Sequence, residues 1–350
     1  MIPDIGIANG IMSVILNFAK AMPENIKFDI VYFHETEQTR QHDIEALGGR
    51  VFKIGKPPQS KDIKDLFEQH HGEWSALHIH APHFAVFIAP AAKNAGIKKI
   101  CVHCHSSEYS LKGNGRRNQL LSLYAKYCLK DKFACSDLAG KFWYGNRPFT
   151  VINNAIECQR FAYDIDIRNQ VRSERQLDGK LVIGHIGRTD IPQKNHGFLL
   201  DVFNEIVKKR SDVVLLMMGG TDTDELKNKV KEYGIEDKAL FLGMCSNVPD
   251  LLQACDVFLF PSTREGLPVS VIEAQAAGLP VLMSDSVSHE AAVTDLVHLK
   301  SLSGSAENWA EECINISSTE RRNTLTEMQR SGWDLSSVTE LLVKYYCGDK

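Results

Sequence analysis

The chain has 350 residues, of which 43% are hydrophobic, and a formal net charge of -4. That supplies two cores of ordinary size and gives no reason to expect a nucleic-acid partner. Nine cysteines, an odd number scattered without a framework, fit a reducing compartment better than a secreted disulfide scaffold, and the absence of a long apolar run excludes a membrane-spanning helix, so the protein is expected to be soluble or at most peripheral.

Residues 1–10, MIPDIGIANG, read as a loop in which Gly6 and Gly10 either let backbone approach a sugar or phosphate closely or serve as plain turn glycines. Residues 11–22 follow as a helix with Ile11, Val14, Ile15 and Phe18 on one face, and no strand precedes them. Strands are then predicted at 27–34, 50–54, 76–80, 99–103, 132–134 and 149–152, separated by helical stretches such as 61–70, 84–95 and 117–129. This alternation implies a parallel, doubly wound sheet. Cys101 and Cys104 stand three apart in a strand and so face opposite sides, and no second pair supports zinc. His78, His80, His83, His103 and His105 cluster at two strand ends, where hydrogen-bonded structural roles are expected; a metal would need carboxylate or thiol partners, and none is expected. Residues 113–132 interleave Arg116, Arg117, Lys126, Lys130 and Lys132 with leucines and tyrosines, a pattern that suits either a solvated helix face or contact with an anionic membrane.

The polar stretch 163–180 reads as the region between two domains, and the second domain opens at 181–187. There IGHIGR, a loop, and Lys194-Asn195 place two permanent cations at a strand's carboxyl end, which suits a diphosphate: Arg188 offers a planar fork and Lys194 a point charge. Strands at 213–218 and 239–243 follow, the second leading to Met244. The apolar run 256–260 reads as a buried strand, and the helix after it has Pro268 at its start and Gly278 with Pro280 at its end. That helix start points out of the carboxyl end of a strand, a site that favours phosphate. Glu273 lies on its apolar face, and Glu265 lies in the preceding loop. A strand at 281–284 and helices near 306–316, 319–329 and 336–346 complete the chain.

Glu265, seven residues and Glu273, carried in PSTREGLPVSVIEAQAAGLPV, resemble the paired-glutamate signature of the retaining glycosyltransferases of family 4. The resemblance implies an α/β GT-B fold: two Rossmann-like domains facing a cleft, an acceptor domain at 1–160, a nucleotide-sugar domain at 161–330, and a C-terminal helix at 331–350 returning to the first. A first strand of the N-terminal sheet is expected in that fold and is missing here. By the same resemblance, Glu273 holds the donor ribose, and Glu265 with the backbone of Gly266, Leu267, Pro268 and Val269 contacts the donor sugar and phosphates. Arg188 and Lys194 neutralise the leaving diphosphate, Met244 lies near the base, and His105, with His103 as the alternative, approaches the transferred sugar. No Asp-x-Asp stands in a metal-binding context, so no metal or other cofactor is expected. HSSE, DKFACSDLAGKFWYG, VINNAIE and GRTDIPQKNHGFLL most resemble capsular or exopolysaccharide enzymes. They imply a UDP-sugar donor, a saccharide or lipid-linked oligosaccharide acceptor, and a cytoplasmic location, peripheral on the inner membrane face. The alternatives are another GT-B enzyme such as an epimerase, or a non-catalytic scaffold of a polysaccharide assembly complex, inactive through N-terminal truncation.

Overall fold

The computed structural model describes residues 1–7, 9–56, 60–106, 109, 115–220, 222–265 and 267–348. In chain order its first elements are α1 (Gly10–Ala21), β1 (Ile30–Tyr32), α2 (Gln41–Ala46), β2 (Val51–Lys53), α3 (Ser60–Gln69), β3 (Ala76–Ile79), α4 (Ala85–Asn94), β4 (Lys99–Cys104), α5 (Gly115–Cys128), β5 (Asp131–Ala134), α6 (Asp137–Tyr144) and β6 (Thr150–Val151). There follow α7 (Cys158–Phe161), α8 (Ile165–Glu174), β7 (Leu181–Ile186), α9 (His196–Lys209), β8 (Val213–Met218), α10 (Asp224–Tyr233), β9 (Ala239–Gly243), α11 (Val248–Ala254), β10 (Val257–Phe260), α12 (Val269–Ala276), β11 (Val281–Ser284), β12 (Val297–Lys300), α13 (Ala306–Ile316), α14 (Leu325–Arg330) and α15 (Leu335–Cys347). They form two compact units, one of residues 1–155 with 334–350, the other of residues 156–333.

In the first unit β3, β4, β5 and β6 make a parallel four-stranded sheet, and β1 pairs with β2 in a separate parallel pair. Alternation sends Leu77, Ile79, Ile100, Val102 and Cys104 into a core shared with α4. Cys101 and Phe133 face the other way, against Val14 and Phe18 of α1 and Leu335, Val338 and Leu342 of α15. The C-terminal helix thus closes the first unit, and Tyr345 fixes it by donating its hydroxyl to Asp131 at 3.0 Å.

Among the described residues no strand precedes α1. Met1–Pro3 instead lie between the two sheets: the Met1 amine donates to the His78 carbonyl at 2.6 Å, Ile2 N–H to Val31 at 3.0 Å, His80 N–H to Met1 at 3.0 Å, and Phe33 N–H to Pro3 at 3.1 Å. Beside them is a cavity of about 500 Å³ bordered by Phe28, Asp29 and Ile30 on one side and by Ser75, Ala76 and Leu77 on the other.

The second unit is a six-stranded parallel sheet in the order β12-β11-β10-β7-β8-β9. Strand order runs outward in both directions from the β7/β10 pair, so the topological switch falls between those two strands. Helices α9, α10 and α13 cover one face, and α7, α11, α12 and α14 the other. Gly278, just past α12, has φ +67 with the Arg322 carbonyl 2.0 Å from where a Cβ would stand, so both backbone conformation and space demand glycine there.

The polar stretch 163–180 is no linker. Most of it is α8, capped by Asp164, whose carboxylate accepts from the Asp166 and Ile167 N–H groups at 2.8 and 3.1 Å. Its arginines reach inward. Arg168 donates to the Cys255 carbonyl at 2.7 Å and pairs with Asp256; Arg172 donates to Ala254 and Leu177 carbonyls, each at 2.8 Å. Guanidinium forks here satisfy carbonyls at the end of α11, a use that composition alone does not reveal.

Candidate functional site

The loops that leave β7 and β10 at the switch point are stitched together. Asn195, in the left-handed region at φ 57, donates its side-chain amide to the Pro261 carbonyl at 3.1 Å, and Thr263 N–H donates to the Gln193 carbonyl at 2.8 Å. A 3-10 turn at Pro192–Lys194 lifts Lys194 back over the strand end. Gly187 permits this: a Cβ there would lie 2.8 Å from His185 Nε2 and 3.2 Å from Lys194 Cδ.

Lys194 Nζ meets Glu265 Oε1 at 2.9 Å and sits 4.9 Å from the centre of the Phe260 ring. Only 15% of the lysine side chain and 22% of the glutamate side chain are exposed, so the pair is poorly screened. Glu265 is also held through its backbone, by a bridge to Val287 and by Ser288 N–H at 3.2 Å. Arg188 stands on the same loop as Lys194 but is more open, and its fork is engaged by Asp190: Nε donates to Oδ1 at 2.9 Å and Nη2 to Oδ2 at 2.5 Å. That contact raises the guanidinium's pKa and lowers the carboxyl's.

Helix α12 starts after Pro268 with no side chain capping it. Leu267 and Val269 pack their side chains into the core, so this segment offers backbone N–H groups rather than side chains to a ligand. Glu273, one turn in, is half-buried. Burial pushes its carboxyl up to about 7, partly offset by the charge of Arg160. Met244, after β9, is 67% exposed.

Of the sequence candidates, the second unit therefore brings Lys194 and Glu265 into contact and places Arg188 on the lysine's own loop. It puts Leu267, Pro268 and Val269 at the start of the helix that carries Glu273. Gly266 lies outside the described residues, as do Ser107 and Glu108 of the HSSE motif. His105, Gly6 and Gly10 belong to the first unit. Gly10 opens α1 with empty space around its Cβ position, whereas a Cβ on Gly6, which bridges to Thr39, would crowd Thr36 at 3.1 Å. Both ring nitrogens of His105 are engaged, Nδ1 with Asn154 Oδ1 at 3.3 Å and Nε2 with His80 Nδ1 at 2.8 Å; burial lowers its pKa to about 4, so the ring is neutral.

Sequence reasoning missed Asp190, and it named His80 in the histidine cluster without its pairing to His105. The spacing of Asp190, two residues after Arg188 in a loop, was the available signal for the first. The clustering of histidines at two strand ends was the signal for the second, but a pairing across strands, like His80 with His105, leaves none.

Residues 166–331 match the family model described as glycosyl transferases group 1. The putative glycosyltransferase EpsF of Bacillus subtilis is 27% identical over 96% of this chain and 93% of its own length. The UDP-Gal:alpha-D-GlcNAc-diphosphoundecaprenol alpha-1,3-galactosyltransferase of Escherichia coli is 24% identical over 64% of this chain and 62% of its own. Among solved structures, Anabaena Alr3699/HepE in complex with UDP superposes with a TM-score of 0.78 at 17% identity, covering 99% of this chain and 98% of that one. WaaG, a glycosyltransferase involved in lipopolysaccharide biosynthesis, gives 0.67 at 12% identity, over 99% of each chain.

Proposed function

We propose that the chain is a group 1 glycosyltransferase on its GT-B fold, a retaining, metal-independent enzyme of family 4 that moves a sugar from a UDP-sugar to a saccharide or lipid-linked oligosaccharide in exopolysaccharide or capsule synthesis. The observation that carries this reading is the Lys194–Glu265 pair at the switch point, next to the uncapped start of α12. The developing charge of a leaving diphosphate falls where Lys194, Arg188 and the α12 N–H groups stand, so these groups supply the neutralisation a divalent cation supplies elsewhere. Glu265, released from Lys194 as the diphosphate takes its place, turns to the sugar, and Glu273 accepts from the ribose diol. His105, neutral and held by His80 and Asn154, is assigned to the transferred sugar. Met244 borders the base, and Gly10, with open space at its Cβ position, is assigned to the sugar and phosphates, whereas the space at Gly6 is taken by Thr36. Retention follows if a phosphate oxygen of the leaving group takes the acceptor proton on the face it departs from.

The test is the reaction itself. The purified chain, dialysed against chelator, is given UDP-sugars and a polyprenyl-diphosphate saccharide, and the product's anomeric configuration is read by NMR. Transfer with the donor's configuration kept and no response to added Mg2+ is expected. An inverted product, or activity that needs the cation, refutes the corresponding part.

We also propose that the enzyme works at an anionic membrane surface, touching it through α5 and α6. No helix of the described residues is long and apolar enough to cross a membrane. Leu120, 68% exposed, Leu123 and Tyr127 of α5 and Leu138 and Phe142 of α6 are all exposed, as are the cations Arg116, Arg117, Lys130 and Arg147, the last lying over the Tyr127 ring. Apolar side chains enter the headgroup boundary while cations meet phosphate, each basic residue contributing about 1 kcal/mol. Sedimentation with phosphatidylglycerol vesicles, absent with phosphatidylcholine and weakened about tenfold by Leu120→Ser with Arg117→Gln, is the expected result. Equal sedimentation with both lipids contradicts it.

A further inference from the structure

Apart from the donor site, the first unit carries a histidine array of which the proposed transfer uses only His80, as a support for His105. We propose that the imidazoles of His78, His80 and His103 form a binding site for one divalent cation of the zinc class, bracing β3 against β4. His78 lies in β3 and His80 one residue past its end, two apart and therefore on one side of the strand; His103 lies in the neighbouring strand β4. One nitrogen from each of the three comes within 4.8 Å of the other two. Zinc holds imidazole nitrogens at about 2.0–2.1 Å in a tetrahedron, which puts them roughly 3.3 Å apart, a contraction within reach of small ring rotations. Two histidines on one strand and a third from its neighbour leave the fourth corner for another ligand.

The surroundings of the three rings favour the same reading. A metal-bound imidazole ordinarily donates its other N–H to a fixed partner, which settles the tautomer. His78 Nδ1 lies 2.6 Å from the Tyr346 hydroxyl. His105 Nδ1–H donates to Asn154 Oδ1, so its Nε2 accepts, and His80 Nδ1–H is the donor to it at 2.8 Å. The His80 contact leaves an Nε2 lone pair facing the metal, and metal binding selects the His78 tautomer whose Nδ1–H donates to the Tyr346 oxygen. His78 Nε2 and both ring nitrogens of His103 are buried with no hydrogen-bond partner among the described residues, and His103 is fully buried. Hydrogen-bonded structural histidines were expected here, and His103 has no partner of ordinary geometry beyond a long approach to the Ile152 backbone. A buried nitrogen left unpaired is costly, and one cation accepts one lone pair from each of the three imidazoles, while the other His103 nitrogen faces the Ile152 backbone. The exposed thiols, Cys128 and Cys347, are competing ligands that the experiment has to separate.

The untagged full-length chain is stripped with chelator and titrated calorimetrically with Zn2+, and its Co2+ form is examined by absorption. One equivalent bound, a visible tetrahedral Co2+ spectrum without a thiolate charge-transfer band, and a higher melting temperature with Zn2+ are expected. His103→Leu removes the equivalent, and Tyr346→Phe weakens it about tenfold. No saturable Zn2+ binding, a thiolate band, or binding unchanged in both His78→Gln and His103→Leu overturns the proposal. If His103→Leu does not fold, the wild-type Co2+ spectrum and His78→Gln still decide. None of these readings depends on sugar transfer, so the site stands or falls apart from the proposed reaction.

Discussion

Lys194→Ala lowers turnover about 10²- to 10³-fold, equivalent to roughly 3–4 kcal/mol of transition-state stabilisation, while leaving a folded protein. The argument rests on where the charge sits. Lys194 is largely buried against Phe260, so its attraction for a leaving diphosphate is weakly screened, and in the ligand-free protein Glu265 holds it in place at 2.9 Å. Lys194→Arg does not restore the rate, because the broader guanidinium has to fit the channel beside Gly187, where a Cβ would already lie 3.2 Å from Lys194 Cδ. Arg188→Ala costs less, about tenfold, since Arg188 is the more exposed cation and has to leave Asp190 to meet the ligand. Steady-state kinetics on the three variants, with melting curves as a check on folding, settle the order; a kcat/KM for Lys194→Ala within a factor of three of wild type, or an Arg188→Ala defect larger than the lysine's, sinks the assignment.

Glu273 is expected to make nucleoside-diphosphate affinity depend on pH, rising about tenfold from about pH 6 to about pH 8. Its carboxyl titrates near 7 because burial penalises the charge, yet a ribose diol that donates two hydrogen bonds needs the ionised form. Binding therefore tightens as pH climbs through about 7 and levels off above it. Glu273→Gln removes this slope and weakens binding by about 1.5–3 kcal/mol for a lost charge-assisted contact. The diphosphate's own ionisation adds a slope common to both proteins, so the difference between them is the observable. Stability runs the other way. A carboxyl whose folded pKa is raised stabilises the fold fully below its unfolded range, and that contribution is lost as pH rises through about 7. The ligand-free wild type should accordingly lose stability relative to Glu273→Gln over that window. A UDP titration with the same pH slope in both proteins removes Glu273 from the ribose.

Much of the second unit was legible in the sequence because its strands are continuous apolar runs, the pattern of a parallel sheet covered on both faces. β7 to β11 lie where those runs predict, and α12 begins after Pro268 and ends before Gly278 as the punctuation implies. β12, VHLK, was missed: it is a four-residue edge strand whose side chains are only partly buried, so it lacks the apolar run. The helix predicted at 319–329 starts only at Leu325. Arg321 explains this, since its guanidinium donates to the Cys255 and Ala277 carbonyls and holds the preceding chain against the end of β10's connecting loop and the end of α12. Contacts of that kind join residues tens of positions apart, and periodicity carries no trace of them. The site was legible to the same degree: cation and carboxylate positions follow from strand ends and helix starts, but the pairing of Arg188 with Asp190, and of His105 with His80, depends on side-chain directions that spacing does not fix.

The first unit is built from two separated pieces of chain, and this bears on how the protein is made. Translation delivers residues 1–155 before residues 156–333, yet α15, which covers Cys101 and Phe133 alongside α1, emerges only after both. Residues 156–333 are contiguous and can complete their sheet before the older, N-terminal unit can close. The usual N-to-C order of domain maturation is thereby inverted, and a nascent chain carries an open apolar sheet face throughout synthesis of the second unit. Loss of α15 would therefore be felt more than 150 residues upstream, as a first unit that never finishes folding.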